Sequence, residues 1–138
     1  MILLDTNVIS ELMRASPSPR VAAWVGHRPA ASLYTTAITQ AEILHGIALL
    51  PAGRRRAAIE DAAAAVFEHD FSGRVLPFGG DAARGYARVA GERARLGRPI
   101  SHFDAQIAGI ATAVGAMLAT RNTRDFELCG LSVVDPWG

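Results

Sequence analysis

Ile2-Leu3-Leu4 is the first apolar run of the chain, and it continues into Asp5-Thr6-Asn7-Val8-Ile9-Ser10-Glu11. A short apolar run that stops at a polar residue is typical of a buried strand. The polar residues that follow predict a turn or helix cap, and residues 8 to 14 predict a helix. A buried strand that leads directly into a helix is typical of α/β proteins, and it places Asp5 at the carboxyl end of the first strand.

The rest of the chain repeats this alternation. Strands are predicted at 32–35, 117–120 and 131–134, with a short strand or an extended connector at 74–77. Helices are predicted at 21–26, 37–50, 52–69, 81–96 and 101–114, and several of them end at Gly or Pro. The pattern predicts an α/β fold in which helices flank both faces of a short, mainly parallel sheet, with residues 1–138 forming a single domain. The stretch 37–97 contains little strand and could be a helical excursion from the sheet.

The composition excludes several classes of protein. Fourteen basic residues, all of them arginine, face thirteen acidic residues, so the chain is not a polycation and nucleic-acid contacts would need local patches. Cys129 is the single cysteine, which rules out an intrachain disulfide. No apolar run approaches the roughly 20 residues of a membrane helix. We therefore expect a reduced, cytoplasmic protein that does not contact membranes.

Four acidic residues stand out against apolar surroundings. Asp5 follows the first strand, Glu42 and Asp104 lie early in apolar helices, and Asp125 lies six residues after the apolar run that ends at Ala119. In a parallel sheet all four positions fall near the carboxyl ends of the strands, where open α/β sheets bind their ligands. Carboxylates cannot remain close together and charged without a cation, so their convergence would indicate a metal site.

Helix capping is the competing interpretation of these acids. Asp5 could cap the next helix, and the segments Thr39 to Glu42 and Ser101 to Asp104 both fit a capping-box pattern. Asn122 to Asp125 could be a simple turn. Capping explains each residue separately, but it does not require all four at one edge.

An all-oxygen ligand set favours Mg²⁺ or Mn²⁺. Zinc would prefer histidine and cysteine, which show no zinc-finger spacing here, and Glu42 with His45 forms only one of the two Glu-x-x-His pairs of a di-iron bundle. The absence of lysine excludes a Walker-type nucleotide site, and it disfavours haloacid-dehalogenase-like phosphatases and receiver domains. No Gly-x-Gly-x-x-Gly follows a strand, which argues against a Rossmann dinucleotide site.

The chain resembles a PIN domain, and specifically the VapC/FitB-type ribonuclease toxins of toxin–antitoxin pairs. The resemblance covers essentially the whole chain and rests on four segments, followed by a C-terminal strand at Val133-Val134-Asp135-Pro136-Trp137. The four segments are Ile2 to Glu11, Thr39-Gln40-Ala41-Glu42-Ile43-Leu44-His45-Gly46, Ile100-Ser101-His102-Phe103-Asp104-Ala105-Gln106-Ile107-Ala108 and Leu118-Ala119-Thr120-Arg121-Asn122-Thr123-Arg124-Asp125-Phe126.

The resemblance implies a three-layer PIN-like fold and a Mg²⁺-dependent endoribonuclease, with Mn²⁺ as a possible substitute. The acidic residues of the family correspond to Asp5, Glu42, Asp104 and Asp125, of which Asp5 and Asp104 would chiefly hold the metal. The resemblance also implies an RNA substrate, a neutralising antitoxin that alone contacts DNA, and a homodimer. The remaining alternatives are an RNA-processing nuclease outside a toxin–antitoxin pair and a catalytically silent binding module.

Six further residues are candidates for supporting roles. Four polar residues could orient the metal ligands or their waters, although turn and cap chemistry would explain them equally well. These are Thr6, Asn7, Thr120 and Asn122. Arg121 and Arg124 are candidates for contacts to RNA phosphates because they flank the proposed site, whereas the run Arg54 to Arg56 is more simply a solvated start of a helix.

Overall fold

The computed structural model describes all 138 residues, and its five short strands form one parallel sheet. The strands are β1 Ile2–Leu4, β2 Leu33–Thr36, β3 Val75–Leu76, β4 Met117–Ala119 and β5 Val133–Val134. The helices are α1 Thr6–Leu12, α2 Pro19–Gly26, α3 Ala37–Ala48, α4 Arg54–Ala64, α5 Gly80–Arg95 and α6 His102–Val114. A π-helical segment, Ala65–Asp70, continues α4, and 3₁₀ turns occupy Ala30–Ser32 and Thr123–Phe126.

All four strand pairings are parallel, in the order β3-β2-β1-β4-β5. The predicted α/β fold is therefore confirmed. The segment 74–77 contributes β3, which pairs with β2, so the helical stretch 37–97 returns to the sheet and is not an excursion from it. The chain moves outward from β1 to β3 on one side and from β1 through β4 to β5 on the other. The order reverses at β1 and β4, which makes the crevice between their carboxyl ends the expected ligand site of an open α/β sheet.

Alternating side chains of the strands build two cores, one on each face of the sheet. Leu3 and Leu118 face α5 and α6, and their core includes Ile107, Ile110 and Phe126. Leu4 and Ala119 face the opposite way, toward the helices α1 to α4. This period of two explains why such short strands hold three layers together, since each strand contributes to both cores. None of the helices is long and apolar enough to cross a membrane.

Helices α5 and α6 pack at very short range through two glycines. A Cβ atom at Gly109 would lie 2.5 Å from the carbonyl oxygen of Ala82 and 2.7 Å from the backbone N of Tyr86. A Cβ at Gly85 would lie 2.8 Å from the carbonyl oxygen of Gly109. Only residues without a Cβ allow the two backbones to approach this closely.

Side-chain caps fix the starts of two helices near the acidic residues, and of these two only α1 starts at a residue other than the predicted one. Helix α1 begins at Thr6, two residues before the predicted start, since the Asp5 side chain accepts a hydrogen bond from the Thr6 N–H at 2.8 Å. Helix α3 is capped by Thr36, whose hydroxyl oxygen accepts from the Thr39 N–H at 3.0 Å. The capping-box interpretation of Thr39 and Glu42 is therefore wrong, because Glu42 lies more than a full turn inside the helix.

Candidate active site

Asp5 is the fixed centre of the acidic group. It ends β1 beside the end of β4, where its backbone N–H donates to the Ala119 carbonyl oxygen at 3.0 Å. The side chain is buried, with 4% of its surface exposed. One carboxylate oxygen accepts from the Thr6 N–H, and the other accepts from the Thr120 hydroxyl at 2.8 Å. Asp5 therefore caps a helix and also presents a buried carboxylate at the point where the strand order reverses.

Thr120 supports Asp5 as the centre of a small polar network. Its hydroxyl proton goes to Asp5, and its oxygen accepts from Asn7 Nδ2 at 3.2 Å and from the Asn122 N–H at 3.1 Å. Asn7 Oδ1 in turn accepts from the Arg121 N–H at 3.2 Å. These bonds tie the first turn of α1 to the segment after β4, so Asp5 has little freedom to rotate.

Glu42 faces the same crevice from α3. Its Oε1 accepts from the Thr6 hydroxyl at 2.9 Å, and the Thr6 oxygen lies 3.2 Å from the Thr39 hydroxyl. Thr6 thus contacts Asp5 through its backbone and Glu42 through its side chain. The side chain of Glu42 is half-buried, and its second oxygen accepts no hydrogen bond within the protein.

Asp104 and Asp125 complete the group from the other side of the crevice. Asp104 lies in the first turn of α6, where its N–H donates to the capping Ser101 hydroxyl oxygen at 3.2 Å. Asp125 lies in the 3₁₀ turn after β4, and its N–H donates to the Asn122 carbonyl oxygen at 3.1 Å. The structure therefore brings the four acids to one edge of the sheet.

Burial and mutual repulsion raise the pKa values of three of these carboxyl groups. Burial is the largest cause for Asp5, and the charges of Glu42 and Asp125 add to it, while the bonds from Thr120 and Thr6 act in the opposite direction. Burial also raises the pKa of Glu42, and the charge of Asp104 adds to it. The site thus holds more negative charge than its surroundings compensate.

The pKa of Asp104 is raised in the same way. Burial is the largest cause, followed by the charge of Asp5, with a smaller addition from Asp125. Ser101 and Arg93 partly offset this shift. Each of the four acids therefore influences at least one other across the crevice, which is the electrostatic signature of a shared site.

The donor chemistry fits a hard divalent cation. All four side chains offer carboxylate oxygens, which Mg²⁺ and Mn²⁺ prefer. A bound cation would also offset the mutual repulsion that helps to raise the pKa values of Asp5, Glu42 and Asp104. No group of three or more His, Cys, Asp or Glu side chains stands close enough to form a ready-made metal cage. A cation held by fewer protein ligands and several waters is the usual arrangement for Mg²⁺.

The predicted supporting residues differ in how they contact the acidic group. Thr6 and Thr120 donate directly to carboxylates, and Asn7 reaches Asp5 through Thr120 and through a long contact of 3.5 Å. Asn122 contributes its backbone N–H. Arg121 is exposed, and its guanidinium lies 4.9 Å from the centre of the Trp137 ring. Arg124 is exposed on the 3₁₀ turn beside Asp125.

Two buried charged residues, Glu11 and Arg93, were not predicted from the sequence. Glu11 is 7% exposed and accepts from Arg14 Nη1 and from the Ser18 N–H, each at 3.0 Å, which joins α1 to the start of α2. Arg93 is 5% exposed and donates to the backbone carbonyls of Arg98 and Asp125. Glu11 could have been identified from its place in the segment Ile2 to Glu11. Nothing in the sequence distinguishes Arg93 from the thirteen other arginines.

Comparison with known proteins gives consistent results at three levels. A family model described as the PIN domain matches residues 2–129. The "VapC ribonuclease Y4jK" of Sinorhizobium fredii is 44% identical over 137 residues, which cover 99% of this chain and 98% of that protein. The "Toxin FitB" of Neisseria gonorrhoeae is 37% identical over 137 residues, which cover 99% of each chain.

A solved structure with the same fold is that of FitAB bound to an IR36 DNA fragment. Its matching chain is 37% identical to this one and superimposes with a TM-score of 0.92, covering 100% of this chain and 96% of that one. The agreement extends over every strand and helix that positions the acidic group.

Proposed function

Because this chain belongs to the PIN-domain family, together with VapC and FitB proteins, we propose that it is a metal-dependent endoribonuclease and the toxin of a toxin–antitoxin pair. The observation that carries the proposal is the convergence of Asp5, Glu42, Asp104 and Asp125 at the crevice between β1 and β4. The name of the S. fredii relative supports a ribonuclease, and the name of the N. gonorrhoeae relative supports a toxin.

In this proposal Asp5 and Asp104 chiefly hold Mg²⁺, with Mn²⁺ as a substitute. A bound cation would supply Lewis acidity toward water and the phosphate oxygens. Thr6 and Thr120 keep Asp5 in one orientation by donating to both of its oxygens. Glu42 is the candidate to accept a proton from the attacking water, at the oxygen that Thr6 leaves free, because its raised pKa makes it a better base than an ordinary carboxylate. Asp125 would bind through water.

The decisive experiment is cleavage of single-stranded RNA by the purified chain. With Mg²⁺ present we expect cleavage, which should stop with excess chelator and return when Mn²⁺ or Mg²⁺ is restored. Sequencing the new 5′ ends would identify the preferred site. RNA that stays intact in the presence of either ion would favour the silent binding module, and cleavage that survives the chelator would contradict the metal assignment.

An antitoxin would need a surface next to the acidic crevice, and a groove of about 650 Å³ runs there between α1, α3 and α4. Thr6 and Glu42 belong to its lining, which is mainly apolar. Its lining includes Met13, Ile43, Ile47, Leu50, Ile59, Arg14 and Arg55. An apolar groove continuous with the carboxylates suits an amphipathic protein segment that ends in a basic residue, which favours a toxin over a stand-alone RNA-processing nuclease.

The proposal also covers the DNA contact, the location and the oligomeric state of the chain. DNA would be contacted only through the antitoxin, and we expect the chain to act in the cytoplasm as a single domain. Exposed Leu44 on α3 and Leu49 directly after it are compatible with a homodimer. The oligomeric state of the purified chain would decide that point.

Arg121 and Arg124 are expected to contact RNA phosphates. Replacing both by Gln should reduce the slope of log K against log salt by about 1.4, since each phosphate contact on a single strand contributes about 0.7. Filter binding in a chelator, across a range of salt concentrations, measures this slope without cleavage. Replacement of the exposed Arg84 and Arg88 on α5 is the control, since Arg88 lies beside Met1 and Met117 at the opposite edge of the sheet. If the two double variants had equal slopes, Arg121 and Arg124 would not be the residues that contact RNA phosphates.

A further inference from the structure

Arg93 is the only basic residue that the structure buries. It lies in the last turn of α5, and its guanidinium meets no carboxylate. Its Nε donates to the Arg98 carbonyl oxygen at 2.5 Å, and its Nη1 donates to the carbonyl oxygens of Asp125 and Glu127, both at 2.9 Å. The two protons of Nη1 match these two carbonyls, with Cys129 Sγ a further contact at 3.6 Å.

These carbonyls belong to two separate segments that carry acids of the site. Arg98 lies in the connection that leads to the capping Ser101 and to Asp104. Asp125 and Glu127 lie in the connection between β4 and β5. One planar guanidinium therefore joins the segment before Asp104 to the segment that contains Asp125. On the surface, Arg98 and Glu127 form an ion pair at 2.9 Å that joins the same two segments, but both side chains are about half exposed and this pair contributes little.

The burial of an arginine without an acidic partner is costly, so it needs a compensating role. Bonds to backbone carbonyls fix the path of the chain and do not depend on which side chains the loop carries. The bonds of Arg93 therefore favour a fixed arrangement of the segments that carry Asp104 and Asp125.

We propose that Arg93 is a positioning residue, which holds the Asp125 turn against the start of α6 and thereby sets the affinity of the site for a divalent cation. This inference rests on the proposed function. Arg93 touches neither RNA nor metal in this role. Its effect passes through the backbone of Asp125 and through the segment that leads to Asp104, as outer contacts of metal ligands generally do.

The test compares Arg93→Lys, Arg93→Gln and the matched control Arg95→Lys, which changes an exposed residue on the same helix. Binding of Mn²⁺ alone, measured by titration calorimetry or electron paramagnetic resonance, is the readout, and RNA is absent. We expect Arg93→Lys and Arg93→Gln to raise the Kd for Mn²⁺ by about 10-fold or more, because neither can form the forked pair of bonds. Arg95→Lys should bind as the wild type does.

Wild-type affinity in folded Arg93→Lys would overturn the inference, since only the charge of Arg93 would then matter. A wild-type protein that binds no Mn²⁺ would overturn the proposed function and this inference together, whereas failure of the inference alone leaves wild-type binding intact.

If the Arg93 variants do not fold, NMR of the wild type gives the answer. The Arg93 Nε–H signal should shift on Mg²⁺ titration in parallel with the Asp104 amide, while the Arg95 signal stays fixed. An Arg93 signal that does not move while the Asp104 amide saturates would overturn the inference.

Discussion

Asp104→Asn is expected to lower the rate of RNA cleavage by about 100-fold or more while leaving the protein at least as stable as the wild type without metal. The loss follows because an amide is a poor substitute for a charged ligand. The stability follows because Asp104 repels Asp5, Asp125 and Glu42, so removing its charge relieves the empty site. Cleavage at saturating Mg²⁺ and the melting temperature in a chelator measure the two effects on one preparation.

The pH dependence of stability gives this prediction a second readout. Asp5, Glu42 and Asp104 have pKa values raised by folding, so the folded protein binds more protons than the unfolded chain as pH rises above about 4. At lower pH these three carboxyl groups are protonated in both the folded and the unfolded protein, so they do not make stability depend on pH there. The free energy of unfolding should therefore fall as pH rises through their raised pKa values, and the fall is complete above them. Asp104→Asn should show a smaller fall between acid and neutral pH.

Asp61→Asn is the matched control, because Asp61 is an exposed carboxylate on α4. It should keep wild-type cleavage and the wild-type pH profile of stability. A folded Asp104→Asn protein that still cleaves RNA at the wild-type rate would remove Asp104 from the metal site. A lower melting temperature in this variant would instead show that Asp104 has a structural role.

Gly109→Ala is expected to destabilise the protein by about 2 kcal/mol or more, which is a roughly 30-fold loss in the ratio of folded to unfolded chains. The added Cβ would stand 2.5 Å from the Ala82 carbonyl oxygen and 2.7 Å from the Tyr86 backbone N, and neither backbone atom can move without shifting α5. The better helix propensity of alanine recovers only about 1 kcal/mol. Urea unfolding monitored by circular dichroism measures the difference.

Gly91→Ala separates the steric effect from helix propensity. Gly91 lies on α5, where an added Cβ would meet only the flexible Arg95 side chain, at 3.5 Å. This variant should be as stable as the wild type or more stable by up to about 1 kcal/mol. If Gly109→Ala unfolds at the same urea concentration as Gly91→Ala, then α5 and α6 do not require close contact.

The sheet and the acidic edge could be predicted from the sequence, because both depend on local signals. Apolar runs such as Ile2 to Leu4 end at polar residues, and a parallel sheet brings strand ends together whatever lies between them. That is why Asp5 and Asp125 could be placed at one edge although 120 positions separate them. The capping interpretation is confirmed for Ser101, whereas the same spacing between Thr39 and Glu42 predicted a wrong cap.

Other features depend on contacts that leave no local pattern. Thr36 and Thr39 are both plausible caps of α3, and the structure uses Thr36, whose hydroxyl oxygen accepts from the Thr39 N–H. Two residues of β3 are too few to show a period. Arg93 reads as an ordinary charged residue near the end of a helix, and its burial results from a loop more than 30 positions away that closes over it. The roles of the acids in binding metal remain predictions.

The reversal of strand order at β1 and β4 has a consequence for the time at which the acidic site can form. The site draws on residue 5 and on residue 125, and β5 must also pair with β4 to close the segment that carries Asp125. A nascent polypeptide therefore cannot assemble the four carboxylates until residue 134 has emerged from the ribosome, because domains fold as units. If the proposed toxin function holds, the chain is inactive until that point of its synthesis.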